Sequence, residues 1–499
     1  MVESFFAVVD IGKTNKKVLI FDRHLHLVDS AFANFDEYRK EGVVYEDLEG
    51  MTRWITHRIK EFAGRYRIAA ISVATHGATA FAIDGSGRLA VPPVAYTTDA
   101  GEEFRQEFYR TFGSERELKR ETGTAEIGSL VNVGKLIYFL QKRWPQKWRN
   151  VRTILYMPQY FGYLFTGRIG AEPTYVGCHT YLYNLRKREY SSLAGKLGIL
   201  DMLPPTIGKS WEVLGWVCPE FRRKTSLPQE CLVTMGIHDS NASLLPYLVK
   251  GFDNFVLNST GTWCVAMHPT DSTDFREEEL DALVYYNLNV YQEPVKTSIF
   301  KGGTEFDTYR EILERINGKR EQPAFCRNLY SKIVKERNLF ILPAVDQGMG
   351  VFPNARAKAV ESGIESSLED LRTGSHLPDF FKDFETGMAV LNISLAVQTH
   401  RALSMTGFDG SGTIFIEGGF RKNRAYVSLL GALYPHARIA LTGMEEATAF
   451  GAAILAKAAV EGVSPQRIKE SFQMEIESVE TSPIPYMREY LEEFGRLVG

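Results

Sequence analysis

Phe5-Phe-Ala-Val-Val-Asp10, Ile11-Gly-Lys-Thr-Asn15 and Lys16-Lys-Val-Leu-Ile-Phe-Asp22 follow one another near the head of the chain. Two β-rich runs flank a short Gly/Asn turn, which predicts a β-hairpin. The same pattern returns far downstream, where Phe255-Val-Leu-Asn-Ser-Thr-Gly-Thr-Trp263 runs into Cys264-Val-Ala-Met267. A second strand, small polar turn and strand imply two domains of similar build.

Between and after these two hairpins, strands alternate with helices. Ile68 to Ala74 reads as a strand ending at Thr75-His76-Gly77, and Phe81-Ala-Ile-Asp-Gly-Ser-Gly reads as a further strand and turn. Helices are expected over much of 101–165, closed by Thr166-Gly167, and over 386–405, where Met388, Leu391 and Leu395 share a face. Gly236-Ile-His-Asp-Ser-Asn reads as a loop into a helix, with Asp239 and Ser240 at its cap. Thr413-Ile-Phe-Ile-Glu is a strand, with Gly418-Gly419 opening a helix, and Glu446 to Val460 is a small-residue helix suited to close packing. The expected class is α/β. The expected division is a first domain over 1–247, a second over 248–460, and a helical tail over 461–499 carrying no assignable motif.

The chain has 499 residues, 24% charged and 44% hydrophobic, with a formal net charge of -3. That is the composition of an ordinary globular protein too long for one core. Acidic and basic residues are spread evenly, so neither a nucleic-acid surface nor a membrane surface is expected, and a small-molecule partner is. The five cysteines, Cys178, Cys218, Cys231, Cys264 and Cys326, form no CxxC pair and suit neither a disulfide framework nor a zinc site. A reducing cytoplasm fits them. The start of the chain lacks the basic head and long apolar stretch of a signal peptide, and no run is long enough to span a bilayer. A homodimer is compatible with the sequence.

Three turns could meet phosphate. Gly12-Lys13-Thr14 looks like the end of a P-loop, but Ala7 stands where that motif requires glycine, and a strand follows rather than a helix. In a hairpin, inward backbone N–H groups, the side chains of Thr14 and Asn15, and the charges of Lys13, Lys16 or Lys17 could hold phosphate instead. The plainer reading is a hairpin with a solvated lysine tip. Gly261 and Thr262 form a second such turn. Gly418-Gly419 lies between strand and helix, where backbone N–H groups and the helix dipole favour an anion. Taken singly, each is a common loop.

Their order along the chain is similar to that of the FGGY carbohydrate kinases, relatives of actin, heat-shock chaperones and hexokinase. The resemblance runs from about residue 5 to about residue 460. Asp10-Ile-Gly-Lys-Thr-Asn-Lys-Lys17 resembles the family's first phosphate motif, although Lys13 stands where a small hydroxyl residue is usual. Leu155 to Gly167 with Glu172-Pro-Thr174 is similar to the lid-side helix. Lys135-Leu136 matches part of one signature, with Tyr138 in place of its Trp. His238-Asp239 resembles the loop bearing the family's catalytic aspartate, and Asn258 to Trp263 the second phosphate motif. Leu342-Pro343 with Gly350, Pro353 and Arg356 follows a Pro/Gly/Arg loop. Ile416 to Asn423 and Glu446 to Ala452 look like the adenosine-binding pair.

The resemblance implies two actin-like (ribonuclease H-like) ATPase domains with the active site in the cleft between them. It implies ATP and Mg²⁺, with Asp239 as catalytic base and Asp10 holding the metal through water. His76, Gly77, His238 and Asp239 are then expected at the sugar. Gly12, Lys13, Thr14, Asn15, Lys17, Gly261, Thr262, Gly418, Gly419 and Asn423 are expected at the nucleotide, and Glu305 on the nucleotide side. Asp239 also suits a helix cap, Asp10 a strand end, and the histidines a structural role. The implied activity is phosphorylation of a small ketose in carbohydrate catabolism, with L-rhamnulose, L-fuculose or a ketopentose such as L-xylulose leading and polyols or glycerol behind. A non-catalytic sugar sensor on the same scaffold is the competing class. One acting on DNA would carry a basic helix-turn-helix, which neither end of the chain suggests.

Overall fold

The computed structural model describes residues 4–128, 130–444 and 446–499. Two large sheets organise the chain. In the first, the strand order is Val213–Trp216, Leu232–Thr234, Ile68–Thr75, Phe5–Ile11, Asn15–Phe21, Leu27–Asn34. The last three form an antiparallel meander, and Phe5–Ile11 runs parallel to Ile68–Thr75, which runs parallel to Leu232–Thr234. In the second, Pro294–Phe300, Cys264–Pro269 and Phe255–Thr260 are antiparallel, and Gly412–Gly418 and Ala437–Thr442 continue parallel to Phe255–Thr260. The repeated core of three antiparallel strands followed by two parallel ones is the actin-like (ribonuclease H-like) arrangement, present twice.

Phe5–Ile11 shows why these runs are apolar without a break. Ala7, Val9 and Ile11 point into one core with Met51, Ile55 and Ile59 of the helix Leu48–Ala63. Phe6 and Val8 point into another with Ala449, Ala452 and Ala456 of the helix Ala447–Glu461. A strand covered on both faces has no solvent side to mark with polar residues.

The helix Ala447–Glu461 is a C-terminal element packed on the N-terminal sheet. It also crosses the helix Asp239–Lys250 so closely that a Cβ on Gly451 would lie 1.9 Å from the carbonyl oxygen of Ala242. Its small residues are what permit that approach.

Three boundaries differ from the sequence reading. Asp239 is the first helical residue, with His238 at the cap. Gly419 begins a single 3₁₀ turn, and the α-helix Arg424–Leu433 starts only after Asn423 caps it. The last 39 residues are not a separate helical tail: Ile476–Val479 pairs with Ala437–Thr442 at the sheet edge, and Tyr490 and Phe494 of the helix Met487–Val498 are buried in the C-terminal core. Among the described residues, no single helix is long and apolar enough to cross a membrane.

Candidate active site

The two-residue strand Ile237–His238 extends the first sheet beside Ile68–Thr75, with His238 paired to Thr75. This register sets His76 and Gly77 next to His238 and Asp239. A buried carboxylate anchors the arrangement. Glu172 accepts hydrogen bonds from the Thr174 and Tyr175 backbone N–H groups, the Thr174 hydroxyl and the Ser210 hydroxyl, and Thr174 Oγ1 accepts the His238 N–H at 3.0 Å. Tyr175 Oη donates to the carbonyls of His76 and Thr79, pinning the other loop. The segment Glu172-Pro-Thr-Tyr175 therefore holds both halves of the site in register.

These loops form one wall of a cavity of about 610 Å³. Gly77, Tyr96, His179, His238 and Asp239 lie on that wall, and Trp263, Ile299 and Lys301 come from the second sheet. The cavity is thus the cleft between the two domains. His179, Tyr96, Lys301 and Tyr285 carry no periodic or motif signal in the sequence. His179 sits in an irregular turn with a left-handed backbone, φ 54°.

The chemistry of the wall is that of a desolvated polar site. Asp239 Oδ1 accepts the Ser240 N–H at 2.7 Å and lies 3.4 Å from His238 Nδ1. Its side chain is 31% exposed toward the cleft, yet enclosure by protein pushes its pKa up, opposed by His76 and by the Ser240 hydrogen bonds. Burial holds the imidazoles neutral, with His238 pushed down to about 4 and His179 to about 3. His76 Nε2, His179 Nδ1 and His238 Nδ1 make no hydrogen bond within the described residues. His179 and His238 line the cavity, where a hydroxylated ligand would satisfy such nitrogens, and His76 packs behind against Tyr96.

Asp10 ends the first strand, buried, with Lys17 Nζ 3.9 Å from its Oδ2. Burial pushes its pKa up to about 7; Lys17 opposes that, and the neighbouring Asp239 and Glu446 carboxylates add to it. A cation would relieve this repulsion, so the residues fit a magnesium ion reached by Asp10. Lys17 Nζ is 2.5 Å from Glu446 Oε2. Gly12, Thr14 and Asn15 form the exposed or half-exposed hairpin tip.

Lys13 departs from the expectation that it faces phosphate. Its ammonium pairs with Glu37 and with Glu46, the latter at 2.8 Å, and sits 4.5 Å from the ring centroid of Tyr96. Tyr96 lines the cavity, so Lys13 braces that wall. Two carboxylates share its charge.

On the facing domain, pairing of Thr260 with Gly418 brings the second hairpin tip beside the glycine pair. Gly261 and Thr262 are exposed there. Gly418 has φ 79°, and a Cβ on it would lie 1.9 Å from the Thr260 carbonyl oxygen; a Cβ on Gly419 would meet nothing within 4 Å. The first glycine closes the turn and the second leaves space beside it. Asn423 is turned inward, accepting the Tyr426 N–H at 3.1 Å and donating to Asn392 Oδ1 at 2.7 Å, so its side chain serves the helix cap rather than a ligand. Glu305 is likewise occupied, accepting the N–H groups of Ala344 and Val345.

Comparison with known proteins agrees with this geometry. A family model described as "FGGY family of carbohydrate kinases, N-terminal domain" matches residues 5–246, and "Carbohydrate kinase FGGY, C-terminal domain" matches residues 253–465. A rhamnulokinase of Enterococcus faecalis is 26% identical over 285 residues, which is 55% of each chain. A probable L-xylulose kinase of Pasteurella multocida is 21% identical over 283 residues, 54% of this chain and 57% of that one. The matched region spans about half the length of these curated relatives. The crystal structure of a carbohydrate kinase from Novosphingobium aromaticivorans superposes with a TM-score of 0.80 at 25% identity, covering 99% of this chain and 98% of that one. A ligand-bound xylulose kinase from Lactobacillus acidophilus gives 0.82 at 16% identity, covering 99% and 97%.

Proposed function

This chain belongs to the FGGY family of carbohydrate kinases, and from that premise we propose that it transfers the γ-phosphate of ATP to a hydroxyl of a small ketose. The observation that carries the reading is Asp239, a carboxylate open to the interdomain cleft, 3.4 Å from His238 Nδ1 and on a wall shared with His179, both imidazoles carrying a nitrogen without a partner among the described residues. A polyhydroxylated ligand supplies both donors and acceptors to such nitrogens. L-Rhamnulose, L-fuculose or a ketopentose such as L-xylulose leads, and the rhamnulokinase and probable L-xylulose kinase among the relatives support the first and the last of these.

In this reading Asp239 accepts the proton of the attacking hydroxyl. A carboxylate with a raised pKa is a better base than an exposed one. His238 and His76 orient the sugar, and Gly77 gives it backbone access. The turn Gly261-Thr262 and the glycine pair Gly418-Gly419 hold the nucleotide from the other domain through backbone N–H groups. Asp10, through water, would hold Mg²⁺, which neutralises charge on the phosphates when bound. Lys17, between Asp10 and Glu446, lies beside that position. Domain closure excludes water and limits ATP hydrolysis in the absence of sugar. The five free thiols suit a reducing cytoplasm, where we place the reaction.

The test is ATP consumption with Mg²⁺ across a panel of ketoses, aldoses and polyols. One ketose turned over well above the polyols supports the reading. Turnover of glycerol alone overturns the ketose assignment.

A further inference from the structure

Behind Gly77, the buried thiol of Cys178 and the imidazoles of His179 and His238 converge from two loops. One ligand atom from each lies within 4.8 Å of the other two. His238 is buried, and both imidazoles carry an Nδ1 without a hydrogen bond inside the described residues. A Cβ on Gly77 would sit 2.7 Å from His238 Nε2 and 3.2 Å from His179 Cδ2, so only glycine leaves the two rings room to stand together.

One thiol and two imidazoles are a donor set for a borderline, thiophilic cation and a poor one for magnesium, which prefers oxygen. With zinc bond lengths of about 2.0–2.3 Å, tetrahedral donors stand roughly 3.3–3.6 Å apart. At the widest, 4.8 Å, the donors stand roughly 1.2–1.5 Å beyond that spacing, a gap that side-chain rotations can close. Three protein ligands leave the fourth tetrahedral position to a water.

We propose that Cys178, His179 and His238 form a binding site for one thiophilic divalent cation, zinc being the reference ion, and that its occupation blocks the sugar pocket. Binding forms one metal–sulfur and two metal–nitrogen bonds and releases the Cys178 thiol proton to solvent. The captured His238 can then no longer meet the sugar. The blocking half rests on the kinase reading above; the binding half does not.

The full-length protein, without ATP or sugar, is titrated with Co²⁺ and then Zn²⁺ beside Cys178→Ala and Cys326→Ser, the second removing an exposed thiol. Wild type and Cys326→Ser should develop a thiolate-to-cobalt absorption that saturates at one equivalent and is bleached by Zn²⁺. Cys178→Ala should lose it, with zinc affinity at least tenfold weaker. Circular dichroism checks that the variant is folded; if it is not, His179→Gln should weaken zinc at least tenfold instead. No absorption in wild type, or absorption that survives Cys178→Ala, overturns the site. Zinc that binds yet leaves kcat/KM for the sugar unchanged overturns the blocking role. Zinc that binds a protein with no sugar kinase activity defeats the kinase reading and leaves the metal site standing.

Discussion

Lys13 Nζ lies 2.8 Å from Glu46 Oε1, tying the tip of the first hairpin to a buried carboxylate 33 residues away. The pair sits against Tyr96 on the cavity wall. Burial raises the Glu46 pKa, but Lys13 and His76 more than offset it and hold the carboxyl below its ordinary value. Replacing Lys13 should therefore disturb the sugar side first. Lys13→Thr is expected to raise KM for the sugar about tenfold and to leave KM for ATP within about threefold, because a loosened wall weakens sugar binding while the phosphate turns stay in place. Steady-state kinetics with each substrate varied in turn check it. A larger effect on ATP would return Lys13 to the phosphates.

Gly77→Ala should damage the same site from its other edge. The added methyl would lie 2.7 Å from His238 Nε2, and the ring must move away. The expected outcome is a fall of about tenfold or more in kcat/KM for the sugar, because misplacement by a fraction of an ångström disrupts alignment. Nucleotide affinity, measured by calorimetry, should not change.

At Gly451 the consequence is for stability. A Cβ there would press on the Ala242 carbonyl at 1.9 Å, a backbone atom held in the helix that Asp239 begins. Gly451→Ala should cost about 1–3 kcal/mol, the usual range for overpacking, read as a lower midpoint in denaturant. An unchanged midpoint would mean that the two helices separate without penalty.

Glu417 gives a pH dependence with a definite sign. It is buried beside Tyr247 and Thr442, and burial pushes its pKa from 4.5 up to about 7 against the pull of those hydrogen bonds. Between those values the native state holds a proton that the unfolded chain has released, so stability falls as pH rises. The contribution is complete below about 4.5 and lost above about 7. The stability of wild type relative to Glu417→Gln should drop by on the order of 1–3 kcal/mol between about pH 5 and pH 8. Denaturant unfolding of both proteins at the two pH values measures it. A difference independent of pH would mean that Glu417 is ionised throughout.

The parts of the fold legible in the sequence are those written in short periodic runs. Both hairpins, the strand before His76 and the small-residue helix after Glu446 could be read because local pattern and local structure coincide. The edge strand Ile476–Val479 could not, since four residues of mixed polarity become a strand only through pairing with Ala437–Thr442. Within the site, the loops bearing His76 and Asp239 were read from motif position, and the structure brings them together beside Thr75. His179 and Tyr96 reach the same cavity from irregular turns that leave no periodic trace. Lys13 and Asn423 read toward the nucleotide because they fall in stretches that resemble the family's nucleotide motifs. Their partners, Glu46 and Asn392, are 33 and 31 residues away, and no local pattern announces such contacts.

The most direct test is turnover by Asp239→Asn with the ketose best used by wild type, paired with ATP affinity measured on the same preparations. Asparagine keeps the size and hydrogen-bonding reach of the side chain but cannot take a proton. The account predicts kcat lower by about 10²- to 10⁴-fold with ATP affinity within a few fold of wild type. Turnover within a few fold of wild type would contradict it, and the base would have to be sought elsewhere in the cleft.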